Sequence, residues 1–259
     1  MTPNNPIVTQ LLQDLSQGNA FIRMHYQKQA HILPITLRQD VHLDDLLGIE
    51  RQKNAVLHNI QRFLRQESYQ HILLWGARGT GKSSLIRATL LHFQMGGLKS
   101  LQIACDDLTD LPFILWTLAH DTAPYLVYID DLSFSADDNA YRALKAVLDG
   151  ALGGIASNIM LCVTSNRRHL LAEYHHDESA LHPQEDEEEQ ISLADRFGLR
   201  LAFHPLSQQQ YLDTVAHWLQ QPLDELTRRA ALQYALAHGS RSARTAFQFS
   251  HQHIGMTPS

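Results

Sequence analysis

Eight consecutive residues carry the clearest chemical signal in the chain. They are Gly76, Ala77, Arg78, Gly79, Thr80, Gly81, Lys82 and Ser83, and Ser84 follows them. They match G-x-x-x-x-G-K-[S/T], a glycine-rich loop whose backbone N–H groups surround phosphate oxygens. In that pattern the lysine reaches the β- and γ-phosphates, and the serine hydroxyl is a ligand of Mg²⁺. The stretch therefore predicts a site for a nucleoside triphosphate, with Ser83 as a metal ligand.

The segments on both sides of this loop have the patterns that it requires. Residues 71–75 form an apolar run of strand length, and residues 84–91 place apolar side chains at helical spacing. A strand, a loop and a helix in this order bring the phosphates to the positive end of the helix dipole. A glycine-rich turn that matches by accident is the alternative, and these flanking elements argue against it.

Two other apolar runs also end in polar residues. Asp130 and Asp131 follow residues 125–129, and Asn166 follows a run that begins at residue 159. Strands that alternate with helices indicate a parallel sheet, whose ligands lie at the carboxyl ends of the strands. We therefore predict that Asp130 holds the metal and that Asp131 orients the attacking water. The alternative for Asp131 is a cap of the following turn.

The order of these patterns predicts an α/β fold of the P-loop NTPase type. We expect a three-layer α/β/α domain with a mainly parallel sheet over residues 43–205, followed by a small helical domain over residues 206–259. A capping box at residues 207–210 begins the first helix of that domain. Residues 1–42 are expected to be a helical or extended segment, in which residues 19–41 show no clear pattern.

The charge of the chain is unevenly distributed. The protein has 21 Lys and Arg against 27 Asp and Glu, a net charge of −6. Eight of the acids lie in residues 173–190, which contain no Lys or Arg and are predicted to form a mobile loop. The other 19 acids face 21 bases, a net charge of +2. The overall acidity therefore does not exclude a nucleic-acid partner.

The remaining composition points to the cytoplasm. The chain has no apolar run long enough to span a membrane, and its first residues lack the basic region of a secretory signal. Cys105 and Cys162 lie in apolar runs, which favours buried, reduced thiols. We expect a cytoplasmic protein with no membrane partner.

Taken in order, these segments resemble those of the AAA+ ATPases. Residues 76–83 are similar to the Walker A motif, and Asp130 and Asp131 are similar to Walker B, with Asp where most members have Glu. Residues 46–49 resemble the segment on the adenine side of the nucleotide, where Leu47 and Gly48 are expected to contact it. The resemblance implies that ATP and Mg²⁺ are the ligands and that the helical domain is a lid.

The same resemblance implies roles for three more residues. Asn166 matches the polar sensor-1 residue, which helps to orient the water, and Arg244 matches the sensor-2 arginine, with Arg241 as the alternative. Arg196, within Asp-Arg-Phe, resembles the arginine finger that reaches a neighbouring subunit's γ-phosphate, and Arg200 is its rival. A finger acting in trans implies a homo-oligomer, often a hexamer.

Over residues 44–249 the motifs resemble one bacterial family of predicted AAA+ ATPases without an assigned cellular role. The implied function is hydrolysis of Mg²⁺-ATP that drives a conformational change in an oligomer acting on an unidentified protein or nucleic acid. The alternative is a nucleotide-switched binding or loading module with very slow turnover, because Asp131 is one methylene shorter than Glu. A small-molecule kinase fits less well, since a lid with two arginines suits sensing better than an acceptor pocket.

Overall fold

The computed structural model of the protein describes residues 6–27, 29–133, 139–150, 154–166 and 193–254. At its centre is a seven-stranded sheet of β1 (Ala20–Tyr26), β2 (Gln29–Pro34), β3 (Ile72–Gly76), β4 (Lys99–Ile103), β5 (Tyr125–Ile129), β6 (Ile159–Ser165) and β7 (Leu199–Phe203). The strand order is β2-β1-β4-β5-β6-β3-β7, with β1 and β2 antiparallel and the other described pairs parallel. The acidic stretch at residues 173–190, predicted as a mobile loop, lies outside the described residues.

Helices cover both faces of the sheet. The described helices are α1 (Pro6–Leu15), α2 (Glu50–Leu64), α3 (Lys82–Gln94), α4 (Leu111–Leu118), α5 (Asn139–Leu148), α6 (Gln208–Leu219), α7 (Glu225–Ala237) and α8 (Ala243–Ile254), with 3₁₀ turns at Leu43–Asp45 and Cys105–Asp110. One hydrophobic cluster joins the sheet to α1, α4 and α5, and a second joins it to α2 and α3. This is the predicted three-layer α/β/α fold with a mainly parallel sheet.

The two strands at the middle of the sheet explain why the sequence signal is strongest there. All residues of β5 and β6 are buried. Strands covered on both faces consist of continuous apolar runs, which the sequence shows at both places. Their carboxyl ends therefore carry Asp130 and Asn166 to the same edge of the sheet.

The N-terminal stretch extends the sheet through β1 and β2. Arg23 on β1 is 6% exposed, donates to the Asp107 carbonyl oxygen at 3.2 Å and forms an ion pair with Asp110. The Nδ1 atom of His25 lies 2.7 Å from Oδ1 of Asp107. Polar side chains can occupy strand positions here because they bond to residues far along the chain. Their presence interrupts the apolar pattern by which a strand is recognised in a sequence.

The C-terminal helices have a hydrophobic cluster of their own. Tyr211, Val215, Ala231 and Phe249 are among its buried members. The predicted capping box at Ser207 is present, since its hydroxyl accepts the Gln210 N–H at 3.2 Å. The expected small helical domain follows the sheet, and we keep its boundary at residue 206 as a proposal.

None of the described helices combines the length and the apolar character needed to cross a bilayer.

Candidate nucleotide-binding site

The glycine-rich loop joins β3 to α3, as the sequence predicts. Gly76, the last residue of β3, has φ of +134°, and a Cβ there would lie 2.0 Å from the Phe203 carbonyl oxygen on β7. Gly81 caps α3 with φ of +99°. Both conformations favour glycine over any residue with a Cβ. The glycines therefore let the loop turn sharply between two paired strands and the start of α3.

Lys82 is buried at the base of this loop, with 6% of its surface exposed. Its Nζ donates to the carbonyl oxygens of Gly76 at 2.7 Å and Ala77 at 2.9 Å, and to Oδ1 of Asn166 at 3.0 Å. Burial lowers the pKa of Lys82, and the negative charge of Asp131 opposes that shift. The ammonium is thus positioned by the loop itself and linked to the end of β6.

Two residues offer oxygen ligands for a divalent metal. Oδ1 of Asp130 accepts hydrogen bonds from the hydroxyls of Ser83 at 2.9 Å and Thr164 at 2.5 Å. Mg²⁺ prefers such carboxylate and hydroxyl oxygens and is usually held by one or two side chains together with substrate phosphates. The donor set of Ser83 and Asp130 therefore fits Mg²⁺.

Asp131 has an unusual backbone conformation. Its φ is +53°, which is uncommon for a residue with a Cβ. Its N–H donates to the Thr164 hydroxyl at 2.9 Å, and the Asn166 amide donates to its Oδ1. Its Oδ2 lies 3.8 Å from a guanidinium nitrogen of Arg78. These contacts hold a strained residue in place, a feature that is common at functional sites.

These groups open into one cavity of about 540 Å³. The loop and the ends of β5 and β6 form one side, and the helical domain forms the other. The predicted site residues on its wall are Arg78, Gly79, Gly81, Lys82, Ser83, Ser84, Asp130, Asp131, Asn166 and Arg244. The structure therefore brings together four separate stretches of the sequence.

Three loop residues do not line the cavity but support the conformation of the loop. Gly76 and Ala77 contribute the carbonyl oxygens that hold Lys82. The Thr80 hydroxyl donates to the Ala77 carbonyl oxygen at 2.8 Å and so braces the turn.

The predicted adenine-side segment, residues 46–49, reaches the cavity with its first residue. Asp45 and Leu46 line the cavity, whereas Leu47 and Gly48 do not. Gly48 has φ of +76°, and a Cβ there would lie 3.2 Å from Nε2 of Gln210 on α6. The structure thus places Gly48 against the helical domain.

Two aromatic residues of the cavity were missed by the sequence analysis. Trp218 on α6 and Phe247 on α8 line it and contact each other edge to face, with ring centroids 4.9 Å apart. Both lie in amphipathic helices, where an aromatic residue that lines a cavity has the same sequence pattern as one in a hydrophobic core. Arg87 on α3 was also missed; it lines the cavity and forms an ion pair with Asp40 at 3.6 Å.

The two candidate sensor-2 arginines differ in position. Arg244 lies on the cavity wall, and its backbone N–H donates to the Gly79 carbonyl oxygen at 3.3 Å. Arg241 is exposed and is not among the lining residues; its carbonyl oxygen accepts the Leu206 N–H at 3.0 Å. This placement favours Arg244.

The two candidate finger arginines both lie outside the cavity wall. Arg196 forms an ion pair with Asp149 at the end of α5, and Arg200 forms one with Asp195. Neither therefore belongs to the nucleotide cavity of its own chain.

Several known proteins are similar to this chain. A family model described as "Protein of unknown function (DUF815)" matches residues 16–257. The 26S proteasome regulatory subunit 6B homolog of Encephalitozoon cuniculi is 25% identical over 195 residues, covering 65% of this chain and 49% of that protein. The chain thus spans about half the length of that relative.

Solved structures share the fold. The RuvB Holliday junction branch migration motor of Thermotoga maritima has a TM-score of 0.53 at 16% identity, covering 83% of this chain and 64% of that one. The ORC1 protein of Aeropyrum pernix in complex with DNA has a TM-score of 0.56 at 18% identity, covering 82% and 60%. The chain belongs to the DUF815 family, and its motifs and fold resemble those of AAA+ P-loop ATPases.

Proposed function

We propose that the protein binds and hydrolyses Mg²⁺-ATP and uses the cycle to change the conformation of an oligomer. The observation that carries the proposal is the single cavity shared by Lys82, Ser83, Asp130, Asp131 and Asn166. A phosphate-binding lysine, two metal ligands and a water-orienting pair are the parts that phosphoryl transfer to water requires.

Each of these side chains has a defined task in the proposed reaction. Lys82 turns from the loop carbonyls to the β- and γ-phosphates, which also releases Asn166. Ser83 and Asp130 would hold the metal, which would neutralise charge on the phosphate oxygens. Asp131 and Asn166, already joined by a hydrogen bond, orient the attacking water.

The apolar part of the cavity wall suits an adenine base. Leu46, Trp218 and Phe247 offer an apolar and aromatic surface there. Aromatic faces bind planar rings with useful affinity and little loss of side-chain entropy. Trp218 and Phe247 belong to the helical domain, so base binding draws that domain towards the loop.

The finger and the client complete the proposal. Arg196 is proposed to reach the γ-phosphate bound by a neighbouring copy, which makes a homo-oligomer necessary for full activity. The partner moved by this oligomer is a protein or a nucleic acid. We place the protein in the cytoplasm, where the free thiols of Cys105 and Cys162 stay reduced.

Replacing Asp131 tests the proposal. We expect Asp131→Asn to bind ATP about as well as the wild type and to lose at least about 100-fold in turnover, the range of a positioned general base. Asp106→Asn is the matched control, because Asp106 is an exposed acid just beyond the carboxyl end of β4 and does not line the cavity. Unchanged turnover in Asp131→Asn would remove Asp131 from the mechanism.

A slow nucleotide switch is the second candidate, and one observation favours it. The carboxylate of Asp131 is engaged by both Arg78 and Asn166, which leaves it less available to a water. Tight ATP binding without measurable multiple turnover, even at saturating protein concentration, would support the switch over the ATPase.

A further inference from the structure

One buried polar atom close to the metal ligands takes no part in the mechanism proposed above. Tyr128 on β5 is 5% exposed, and its hydroxyl has no partner in hydrogen-bonding geometry among the residues that the structure describes. Buried hydroxyls nearly always have a partner, and an unsatisfied one often marks a catalytic or ion-binding role. We therefore expect this hydroxyl to gain a hydrogen-bond partner when a ligand binds.

The strand geometry places Tyr128 beside the metal site. Tyr128 is the last residue but one of β5, and Asp130 directly follows the strand, so only Ile129 separates the two. Tyr128 belongs to the hydrophobic cluster that joins the sheet to α2 and α3.

The hydroxyl lies close to two polar side chains of the metal site. It approaches those of Asp130 and Ser83 without a well-aligned hydrogen bond to either. It is thus a donor that lies close to an acceptor and is not bonded to it.

The same strand offers a contrasting tyrosine. Tyr125 is also fully buried, yet its hydroxyl donates to Oδ2 of Asp121 at 2.5 Å. It lies at the opposite end of β5, away from the loop. The strand therefore carries one satisfied and one unsatisfied phenol, and only the unsatisfied one lies near Asp130.

We propose that Tyr128 is a positioning residue of the metal site, whose hydroxyl donates a hydrogen bond to the Asp130 carboxylate when nucleotide and Mg²⁺ are bound. The inference rests on the proposed function. Oδ1 of Asp130 already accepts from Ser83 and Thr164. A third donor fixes the orientation of the carboxylate, and supporting contacts of this kind raise the affinity of a metal site.

The test compares Tyr128→Phe with Tyr125→Phe. Melting temperature is measured without nucleotide, and ADP affinity is measured by calorimetry with Mg²⁺ and with EDTA. We expect Tyr128→Phe to melt at or above the wild-type temperature, because it removes an unsatisfied hydroxyl. Its affinity for Mg²⁺-ADP should fall about three- to tenfold, the effect of one hydrogen bond, with ADP affinity in EDTA unchanged. Tyr125→Phe should lower the melting temperature and leave both affinities unchanged.

Two results would overturn this role. If Tyr128→Phe misfolds, or melts as far below the wild type as Tyr125→Phe does, the hydroxyl already has a partner in the free protein. An unchanged Mg²⁺-ADP affinity, or an equal loss with Mg²⁺ and with EDTA, would show that the hydroxyl does not act on the metal site. A wild type that binds no nucleotide would instead overturn the proposed function itself, so the two failures are distinguishable.

Discussion

Arg244 and Arg196 are the two arginines that the AAA+ resemblance assigns to the nucleotide, yet they occupy very different surroundings. Arg244 lies on the cavity wall, and its backbone is hydrogen-bonded to Gly79 of the loop. Arg196 is outside the wall and forms an ion pair with Asp149. Arg244 thus belongs to the cavity of its own chain, whereas Arg196 lies outside that cavity.

The difference separates what one chain supplies from what an assembly must supply. Binding needs the loop, the metal ligands and the helical domain, all of which one chain brings together. In the proposed mechanism, the finger adds charge only after a second copy presents it. We therefore expect changes at Arg196 to affect turnover selectively and changes at Arg244 to affect binding as well.

The largest expected effect is that of Arg196→Ala on hydrolysis. Arginine fingers contribute about 10³–10⁵ in rate, roughly 4–7 kcal/mol of transition-state stabilisation, so turnover should fall by that factor. ATP affinity should stay near that of the wild type. Steady-state ATPase assays and equilibrium titrations measure the two quantities, and Arg200→Ala is the matched control.

Mixing variants tests whether the finger acts in trans. Lys82→Ala lacks the phosphate-binding lysine but keeps the finger, so a mixture with Arg196→Ala should regain activity at interfaces that combine two intact halves. Turnover is measured where the wild-type rate no longer depends on concentration. If the mixture is inactive, Arg196 acts on the nucleotide of its own chain, and the main argument for an oligomer is lost. If Arg196→Ala keeps wild-type turnover, Arg200 becomes the finger candidate.

A smaller effect is expected when the arginine of the helical domain is removed. Arg244→Ala should weaken ATP binding about 10- to 100-fold, because a hydrogen bond to a charged group contributes about 1.5–3 kcal/mol. Arg241→Ala, three residues earlier and not on the cavity wall, should bind like the wild type. Titration of each variant with ATP decides between them, and a loss confined to Arg241→Ala would reverse the assignment.

The smallest effect concerns the contact that docks the helical domain. Oδ1 of Asp45 lies 2.8 Å from Nε2 of His217 on α6. Burial alone would raise the pKa of Asp45, but hydrogen bonds from the His42 backbone and the His217 ring hold it below its ordinary value of 3.8. A lowered pKa means that the contact stabilises the fold above about pH 4 and loses its effect as pH falls through the folded-state pKa.

Asp45→Asn should therefore lower the free energy of unfolding by about 0.2–1 kcal/mol near neutral pH, the range for partly exposed pairs. The difference from the wild type should shrink as the pH falls below the ordinary pKa of the carboxyl group. Urea unfolding on both sides of that pKa measures it. A difference that grows as the pH falls would have the wrong sign for a depressed carboxyl pKa.

The elements nearest to the proposed phosphate site were predictable from the sequence. β3, α3 and the acids after β5 follow from apolar runs and from a motif with fixed spacing, both of which are local signals. The fold class was confirmed for the same reason. The proposed roles of Asp131, Arg196 and Arg244 stay predictions until they are measured.

Features that depend on distant partners were not predictable. Arg23 and His25 occupy positions in β1. Their side chains contact Asp107 and Asp110, which lie far along the chain. Trp218 enters the cavity only because α6 packs across from the loop. The sequence of β5 likewise gives no sign that one of its two tyrosine hydroxyls is satisfied and the other is not.

The pairing of β3 with β7 has a mechanical consequence. Gly76 touches Phe203, and only residues 204–207 separate Phe203 from α6. Since the end of the loop strand and the end of β7 are locked together, the loop offers little freedom to move. If the proposed hydrolysis moves the helical domain, we expect that motion to be a rotation about this short connection. The paired edge of the sheet would then act as the fixed side of the hinge.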